Sequence, residues 1–587
     1  MKKILVIILL LFSGSLFASG VKLWPQITDG IYNQNNVLVM NCKIADDGLT
    51  VTDLAWDTYK VDGWSKRWTL NMGLPMTEPL KDYKFNKKWA GLPVNITVEF
   101  YNPEKPWEVK ENYQEILLLG GKQTIGLPKW FSIPTNRLGY DFEENKNFPS
   151  GWTLPKGKYA LWQSAAKVYQ KDKNGKNPIL DYGFTNISPF AFTKNGASVP
   201  RENRANLFGD NEWIECNPAG TVYKDQTNPD TWKKEPFFSH ASQEKIIIAD
   251  FEVPLSNTWQ DYQYNAFRDI VKETREKYPD VMVGCWGIGV VNSSFRIFDD
   301  FDEQARGSGV VNLEGAKKWR GRYNNPKDYM NPVFKRCDLN VGVPSVYYIN
   351  NSKPSQLYAF LQEWEMSDLA SPDPCILSTW IQVEFVDGYP LSTYRFIDTK
   401  GKPRVEYIKH QVPASSTYAL SLFGHCVMDG LECWDIGNYY SENLEDYSNW
   451  QENEPSVRKS VNGVETNMNY YIKYFGFYNY HVLGMWQASQ NKDIIEAKTK
   501  WEMPEYYSSK NKIWRVGDER YPSFANFYKE PLVRVKYSND KKILLVIASN
   551  PYNTDVEEVK VRVPNTKKEY SFELVGDYPI IKRFVVK

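Results

Sequence analysis

The chain has 587 residues, with 71 Lys plus Arg against 71 Asp plus Glu. It is too long for one hydrophobic core, and its balanced charge excludes a global field that would draw it to nucleic acid or to an anionic membrane. Aromatic residues make up 15% of the chain, including 21 Trp and 38 Tyr, a supply that fills cores and equally suits stacking on flat, amphipathic ligands such as sugars.

Lys2 and Lys3 precede the apolar run Ile4 to Phe12, and small residues follow through Gly20. This is the pattern of a secretory signal peptide over residues 1–18, with cleavage near Ala18. No cysteine sits at the cleavage region to take a lipid anchor. The leader is too short to span a membrane, and no later stretch approaches the ~18 to 20 apolar residues a membrane helix needs. The expectation is an exported protein, periplasmic or extracellular, with no membrane span.

Residues 19–121 read as an all-β module. Val37–Met40, Leu49–Thr52 and Val94–Phe100 look like short strands, with turns at Asp46-Asp47-Gly48 and Tyr101-Asn102-Pro103. Trp56, Trp64 and Trp68 serve either a supporting sandwich or a sugar-binding face.

From 122 to 490 strands alternate with helices. Pro178–Phe184, Glu212–Cys216, Lys245–Glu252, Val281–Trp286, Leu339–Ile349, Cys375–Phe385 and Val427–Ile436 read as strands. Helices are predicted over Tyr264–Tyr278, where Phe267, Ile270 and Val271 recur at helical spacing, and over Ser355–Leu369, Ser415–Leu422 and Asn467–Met485. Alternation of this kind implies parallel βαβ units. Counting back from Val427–Ile436 as the eighth strand makes Lys245–Glu252 the fourth and Cys375–Glu384 the seventh. The fold class predicted is α/β, a (β/α)₈ TIM barrel flanked by N-terminal and C-terminal all-β modules, with an open doubly wound sheet as the alternative. Residues 491–530 read as an irregular linker. Residues 531–587 read as a small β-sandwich-like module, with strands at Leu532–Tyr537, Lys542–Ala548, Val556–Val563, Tyr570–Val575 and Ile580–Val586 and a turn at Gly576-Asp577.

Several chemistries find no motif. The four histidines, 240, 410, 425 and 481, include no ligand-spaced pair, and His-Glu-x-x-His and Gly-x-Ser-x-Gly are absent. Gly287-Ile288-Gly289-Val290-Val291-Asn292 starts like a dinucleotide loop but has Asn where the third glycine belongs. No metal and no cofactor are expected. Seven cysteines, an odd number spread thinly, do not make a disulfide scaffold, although Cys426 and Cys433 could pair.

Carboxylates remain. In Lys245-Ile246-Ile247-Ile248-Ala249-Asp250-Phe251-Glu252, a buried strand ends in two acids, and period-two alternation puts Ile246, Ile248, Asp250 and Glu252 on one face. Acids on an apolar face are costly without a partner or a role. In a (β/α)₈ barrel the reactive groups come from strand C-termini, which adds Glu384 from Ser378-Thr379-Trp380-Ile381-Gln382-Val383-Glu384 and Glu432, Asp435 and a ring from Leu431-Glu432-Cys433-Trp434-Asp435. Glycosidic bond cleavage needs two carboxyl groups, one donating a proton and one acting as nucleophile or base. The expectation is a glycoside hydrolase acting on O-glycosyl bonds of a poly- or oligosaccharide. Glu252, Asp250 and Glu384 are the catalytic candidates, and Trp286, Tyr348, Trp380, Gln382, Trp434 and Asp435 would bind substrate. The alternative is a non-catalytic glycan-binding protein on a degenerate barrel.

Asp250-Phe251-Glu252-Val253-Pro254 resembles the end of the family-18 chitinase signature Asp-x-x-Asp-x-Asp-x-Glu. That resemblance implies Glu252 as general acid, Asp250 as the group steering a substrate N-acetyl nucleophile, and Trp434 as the tryptophan of the eighth strand. Lys245 and Ile248 stand where the two earlier aspartates belong. The layout is also similar to the clan of retaining barrels with an acid/base on strand four and a nucleophile on strand seven. That likeness implies Glu252 and Glu384, although Phe251 replaces the usual Asn before the acid. As a whole, the arrangement of leader, β module, barrel and β tail resembles exported glycan-degrading enzymes of gut-type bacteria.

Overall fold

The computed structural model describes residues 21–24, 42–54, 60–106, 108–131, 149–163, 182–188, 246–249, 261–292, 325–345, 355–379, 392–397, 403–408, 412–433, 458–461, 464–467, 478–515, 530–562 and 568–586.

The N-terminal part is an antiparallel sheet of β1 (Val21–Trp24), β2 (Ser65–Leu70), β3 (Pro93–Tyr101) and β4 (Val109–Leu118) in the order β1-β4-β3-β2. On β3 the alternation is plain: Val94, Ile96, Val98 and Phe100 enter the main core. Glu99, on the other face, is buried against the Arg67 guanidinium at 2.6 Å. Trp68 is only 2% exposed and lies opposite Val98 in that core, so it is packing and not a sugar-binding face. Trp64 is half-buried against the same core, and Trp56 lies outside the described residues.

Parallel pairing follows. β5 (Tyr159–Gln163), β6 (Asn186–Ser188), β7 (Ile246–Ala249), β8 (Met282–Cys285), β9 (Leu377–Thr379) and β10 (Gly430–Cys433) pair in parallel as β7–β8 and as β9–β10–β5–β6. The two runs meet through residues 342–345. Trp286 bridges Val343, Gly342 bridges Cys375 and Ser345 bridges Ser378, all parallel. Helix α1 (Asp261–Lys277) joins β7 to β8, α2 (Ser355–Ala370) precedes β9, and α3 (Ala414–Cys426) precedes β10.

The strands present two different faces. Leu161, Ile246, Ile248, Val341, Val343 and Ile376 form a separate apolar cluster, with Tyr159, Met282 and Trp286 against it. Their neighbours in sequence, Ala160, Ile247, Ala249, Val283, Cys285 and Leu377, instead join the main core with the helices, as do Leu431 and Cys433 of β10. We call the first the inner face. Burial on both faces explains why these strands read as continuous apolar runs and not as alternating ones.

Helix ends depart from expectation where the helix is apolar all round. α3 is buried along its whole length and continues to Cys426, and the Val427 N–H still bonds the Phe423 carbonyl at 2.9 Å, so the strand after it begins at Gly430 and not at Val427. α4 (Tyr478–Gln490) packs against α3 and starts later than the predicted Asn467. Neither helix carries the polar stripe that marks boundaries in an amphipathic sequence. α1, which does, starts three residues before the expected Tyr264, at Asp261, an acid suited to a helix N-terminus.

At the C-terminus β11 (Glu505–Ser508), β12 (Ile513–Arg515), β15 (Val556–Arg562) and β16 (Glu569–Val575) form one antiparallel sheet in the order β12-β11-β15-β16. β13 (Leu532–Tyr537), β14 (Ile543–Ser549) and β17 (Ile580–Val585) form a second. Val533, Val535, Val546, Val559, Val561 and Phe572 fill the space between them. Leu532, Leu545 and Ile547, on the far side of the second sheet, join the main core. Residues 505–515 therefore belong to a sheet and not to an irregular linker; strands of four and three residues are too short to announce themselves by periodicity.

The six described cysteines are free and buried, so Cys426 and Cys433 are not bridged. Among the described residues no helix is long and apolar enough to cross a membrane.

Candidate functional site

The inner face changes character along the strands. Towards the strand C-termini it carries polar groups. Ser378 of β9 lies opposite Glu432 of β10, and Glu432 lies opposite Leu161 of β5. Ser378 and Glu432 are fully buried. Leu431 and Cys433, flanking Glu432, belong to the main core, which places Glu432 on the opposite, inner side. Glu432 was visible in the sequence as an acid on the eighth strand, but only the pairing with Ser378 marks it as an inner-face group.

Of the substrate-binding candidates, Trp286 is the one the described residues include. It is half-buried against the inner cluster at the end of β8, and its backbone N–H donates to the Ala249 carbonyl at 2.7 Å. The tryptophan therefore stands level with the last described residue of β7. Asp250, Glu252, Tyr348, Trp380, Gln382, Glu384, Trp434 and Asp435 lie outside the described residues.

At the opposite, N-terminal end of the strands the charged groups serve closure. The Lys158 ammonium donates to the carbonyls of Val427 at 3.1 Å and Met428 at 2.6 Å. The Asp429 carboxylate accepts from Trp364 Nε1 at 3.0 Å and from the Cys375 N–H at 3.1 Å. The Asp429 carbonyl accepts from the Tyr159 N–H at 2.8 Å. Burial pushes Lys158 down and the nearby Asp368 up, the latter helped by the negative charge of Asp429. These groups stitch β5, β9 and β10 together at their starts.

A second titratable cluster sits behind β10. Cys433 Sγ lies 3.3 Å from His481 Nε2, the His425 and His481 rings are 5.3 Å apart, and His425 Nδ1 meets the Ser421 carbonyl at 2.7 Å. All three side chains are inaccessible. Burial pushes the Cys433 thiol well up and drives His425 down to about 4. Near neutrality this is an uncharged thiol beside uncharged imidazoles, on the side of β10 away from the inner face. Among the described residues no group of three His, Cys, Asp or Glu side chains could hold a metal ion.

No family model matches the chain, and no curated protein sequence matches it. Among solved structures, a noncanonic maltogenic alpha-amylase from Thermotoga neapolitana is similar over 74% of this chain and 100% of its own, at 11% identity and a TM-score of 0.29. An alpha-L-arabinofuranosidase from Thermotoga maritima is similar over 74% and 96%, at 11% identity and a TM-score of 0.28. Bee venom hyaluronidase is similar over 48% and 91%, at 11% identity and a TM-score of 0.22. These neighbours are glycoside hydrolases by name. At TM-scores this low the likeness carries no argument about fold or chemistry.

Proposed function

We propose that the chain is an exported glycoside hydrolase built on a (β/α)₈ barrel, with Glu252 as general acid at the C-terminal mouth of the fourth strand. The observation that carries the reading is the placement of Ile246 and Ile248 in the inner cluster while Trp286 hydrogen-bonds to Ala249 at the strand end. Period-two alternation in the sequence assigns Asp250 and Glu252 to the side shared by Ile246 and Ile248, the side this proposal gives to substrate. Glu432 and Ser378 lend polarity to that side across the array. Asp250 or Glu384 supplies the second role: Asp250 by orienting a nucleophilic group of the substrate, Glu384 by attacking directly. Tyr348, Trp380, Gln382 and Trp434 would line the sugar site with Trp286. Asp435, an odd number of positions from Glu432 in the sequence, is proposed as a substrate contact from beyond the strand end.

Glu252→Gln keeps the shape and removes the titrating group, so turnover of the true substrate should drop by about 10²-fold or more. Full activity of this variant would refute the assignment.

One observation favours a second reading. Ile248, where the chitinase signature has an aspartate, is 1% exposed within an apolar cluster, so the inner face lacks that acid and nothing polar replaces it at that position. A barrel that has lost catalysis and kept glycan binding accounts for this. Product detection across a glycan panel separates the two: retention of glycans without new reducing ends favours the binding protein.

A further inference from the structure

Two of the chain's four histidines, His425 of α3 and His481 of α4, are fully buried in one contact behind β10. His425 Nδ1 stands 2.7 Å from the Ser421 carbonyl oxygen. A carbonyl only accepts, so Nδ1 carries the hydrogen and the neutral ring keeps its lone pair on Nε2. That Nε2 is buried and meets no hydrogen-bond partner among the described residues. Two nearby acceptors are already engaged: the Ser421 carbonyl by Nδ1, and the His481 carbonyl by Ser421 Oγ at 2.5 Å. The helices also touch closely here. A Cβ on Gly484 of α4 would stand 2.5 Å from Ser421 Oγ and 2.8 Å from the Leu422 backbone nitrogen. Phe184 stacks on the His481 ring, with centres 6.1 Å and planes 25° apart.

The titratable and charged groups around His425 come from every element packed there. They are His481 on α4, Cys433 on β10 with Glu432 on that strand's other side, Cys426 on α3, and Lys158 ahead of β5 with Asp429 and Asp368 beside it. The charge that acts on His425 is that of Lys158, and it is positive. From this arrangement we propose that His425 is an acid-operated release, which parts α4 from α3 and uncovers the back of β10. A proton on Nε2 creates a second N–H donor and a full charge in a closed contact, beside another imidazole and within the field of a lysine. Moving α4 away lets water solvate the ring and removes that penalty. Cys433 adjoins Glu432 in β10, so the same movement loosens the strand that carries the inner-face carboxyl.

Burial drives His425 from its ordinary 6.5 down to about 4, with the Ser421 carbonyl opposing and Lys158 assisting. The open state therefore binds the proton more readily than the closed one across this window. Closure is fully favoured above pH 6.5 and is lost as pH falls towards 4. Between pH 7 and 4.5 the ratio of open to closed protein should rise about 50-fold. His481, also pushed well down by burial, adds in the same direction.

The test uses the full-length protein and reads Cys433, which lies 3.3 Å from His481 Nε2. Pulses of a pyridyl disulfide, a reagent active in acid, are followed by mass mapping of the labelled peptide, and each rate is divided by that of the urea-unfolded chain at the same pH. Labelling of Cys433 in the wild type should rise about 50-fold or more from pH 7 to 4.5. His425→Asn keeps an N–H for the Ser421 carbonyl but cannot titrate, and should cut that rise by about 50-fold. His425→Gln carries the same comparison if the first variant melts early. Nitrogen NMR of the wild-type imidazoles needs no variant: His425 should stay neutral and protonated on Nδ1 down to pH 5. A flat wild-type profile, an undiminished rise in a folded variant, or a His425 ring that titrates near 6.5 would each overturn the release.

Discussion

Asp577 gives the sharpest quantitative prediction. It occupies the turn between β16 and β17 and is 2% exposed. Its Oδ1 accepts from Asn71 Nδ2 at 2.8 Å and its Oδ2 from Ser415 Oγ at 2.6 Å, so one carboxyl joins the N-terminal sheet, α3 and the C-terminal sheets. Burial pushes its pKa up to about 7, against the lowering pull of Ser415, Asn71 and the backbone N–H groups of Asp577 and Met72. The ordinary value is 3.8, so between about pH 4 and 7 the folded state binds more protons than the unfolded state. The stabilisation is therefore fully present below pH 4, is lost as pH rises through the window, and is gone above about 7. A shift of about three pKa units corresponds to about 4 kcal/mol, of which about 3 kcal/mol falls between pH 4.5 and 8. Asp577→Asn removes the titration while keeping the side-chain bonds to Asn71 and Ser415. Asn71 is locked in orientation because its Oδ1 accepts from the Asn95 N–H at 2.8 Å, so the new amide can turn its oxygen to Asn71 and its nitrogen to Ser415 Oγ. Urea unfolding followed by tryptophan fluorescence at several pH values should show the two proteins diverging: relative to Asp577→Asn, the wild type loses about 3 kcal/mol from pH 4.5 to 8. Subtracting the variant cancels every other titrating group. Parallel pH profiles would refute the reasoning.

Two further outcomes test the packing. A Cβ on Gly430 would stand 2.0 Å from the Tyr159 carbonyl oxygen, and its φ of +152° is one that side chains rarely adopt, so Gly430→Ala should break the β10–β5 pairing and cost about 3 kcal/mol or more; a variant that melts like the wild type would refute the parallel register. The six described cysteines are buried, with Cys375 and Cys433 pushed well above their ordinary value by burial and Cys337 up to about 12. A colorimetric disulfide reagent should therefore find at most one fast thiol in the native protein, Cys216, and all seven after denaturation; several fast native thiols would contradict the burial.

What the sequence made legible follows the range of the forces involved. The strands from Leu532 onward lie within a residue of the prediction because they are apolar runs or alternating runs bounded by clear turn residues: β15 alternates between a packed and a wet face, β14 is buried on both, and β13 spans the predicted Leu532–Tyr537. The apolar spacing of Phe267, Ile270 and Val271 likewise announced α1, and all three are buried. The ends of α3 and α4 are less legible for the converse reason: α3 is buried along its whole length and α4 over most of it, so neither offers a polar stripe to read. Trp68 shows the limit for single side chains, since nothing local tells a core indole from a ligand platform; that is settled by Val98 across the sheet.

The same logic bears on the site. Period-two alternation on a strand is local, so the pattern around Ile246 and Ile248 gave the inner face correctly as far as Ala249. Which acid stands opposite another depends on pairing between strands far apart in sequence. Glu432 illustrates this, since its neighbours Ser378 and Leu161 are 54 and 271 residues away along the chain. A strand-end acid is therefore the readable half of a two-carboxyl site, and its partner is the unreadable half. This is why Glu252 enters the proposal as one residue and the second role as a choice between Asp250 and Glu384. Determining the anomeric configuration of the product resolves that choice only in part, because substrate-assisted and direct attack both retain configuration. The decisive comparison is Glu384→Gln against Asp250→Asn on the same substrate. A loss of about 10²-fold or more in one and not in the other names the partner, and equal, small losses in both would refute the two-carboxyl mechanism altogether.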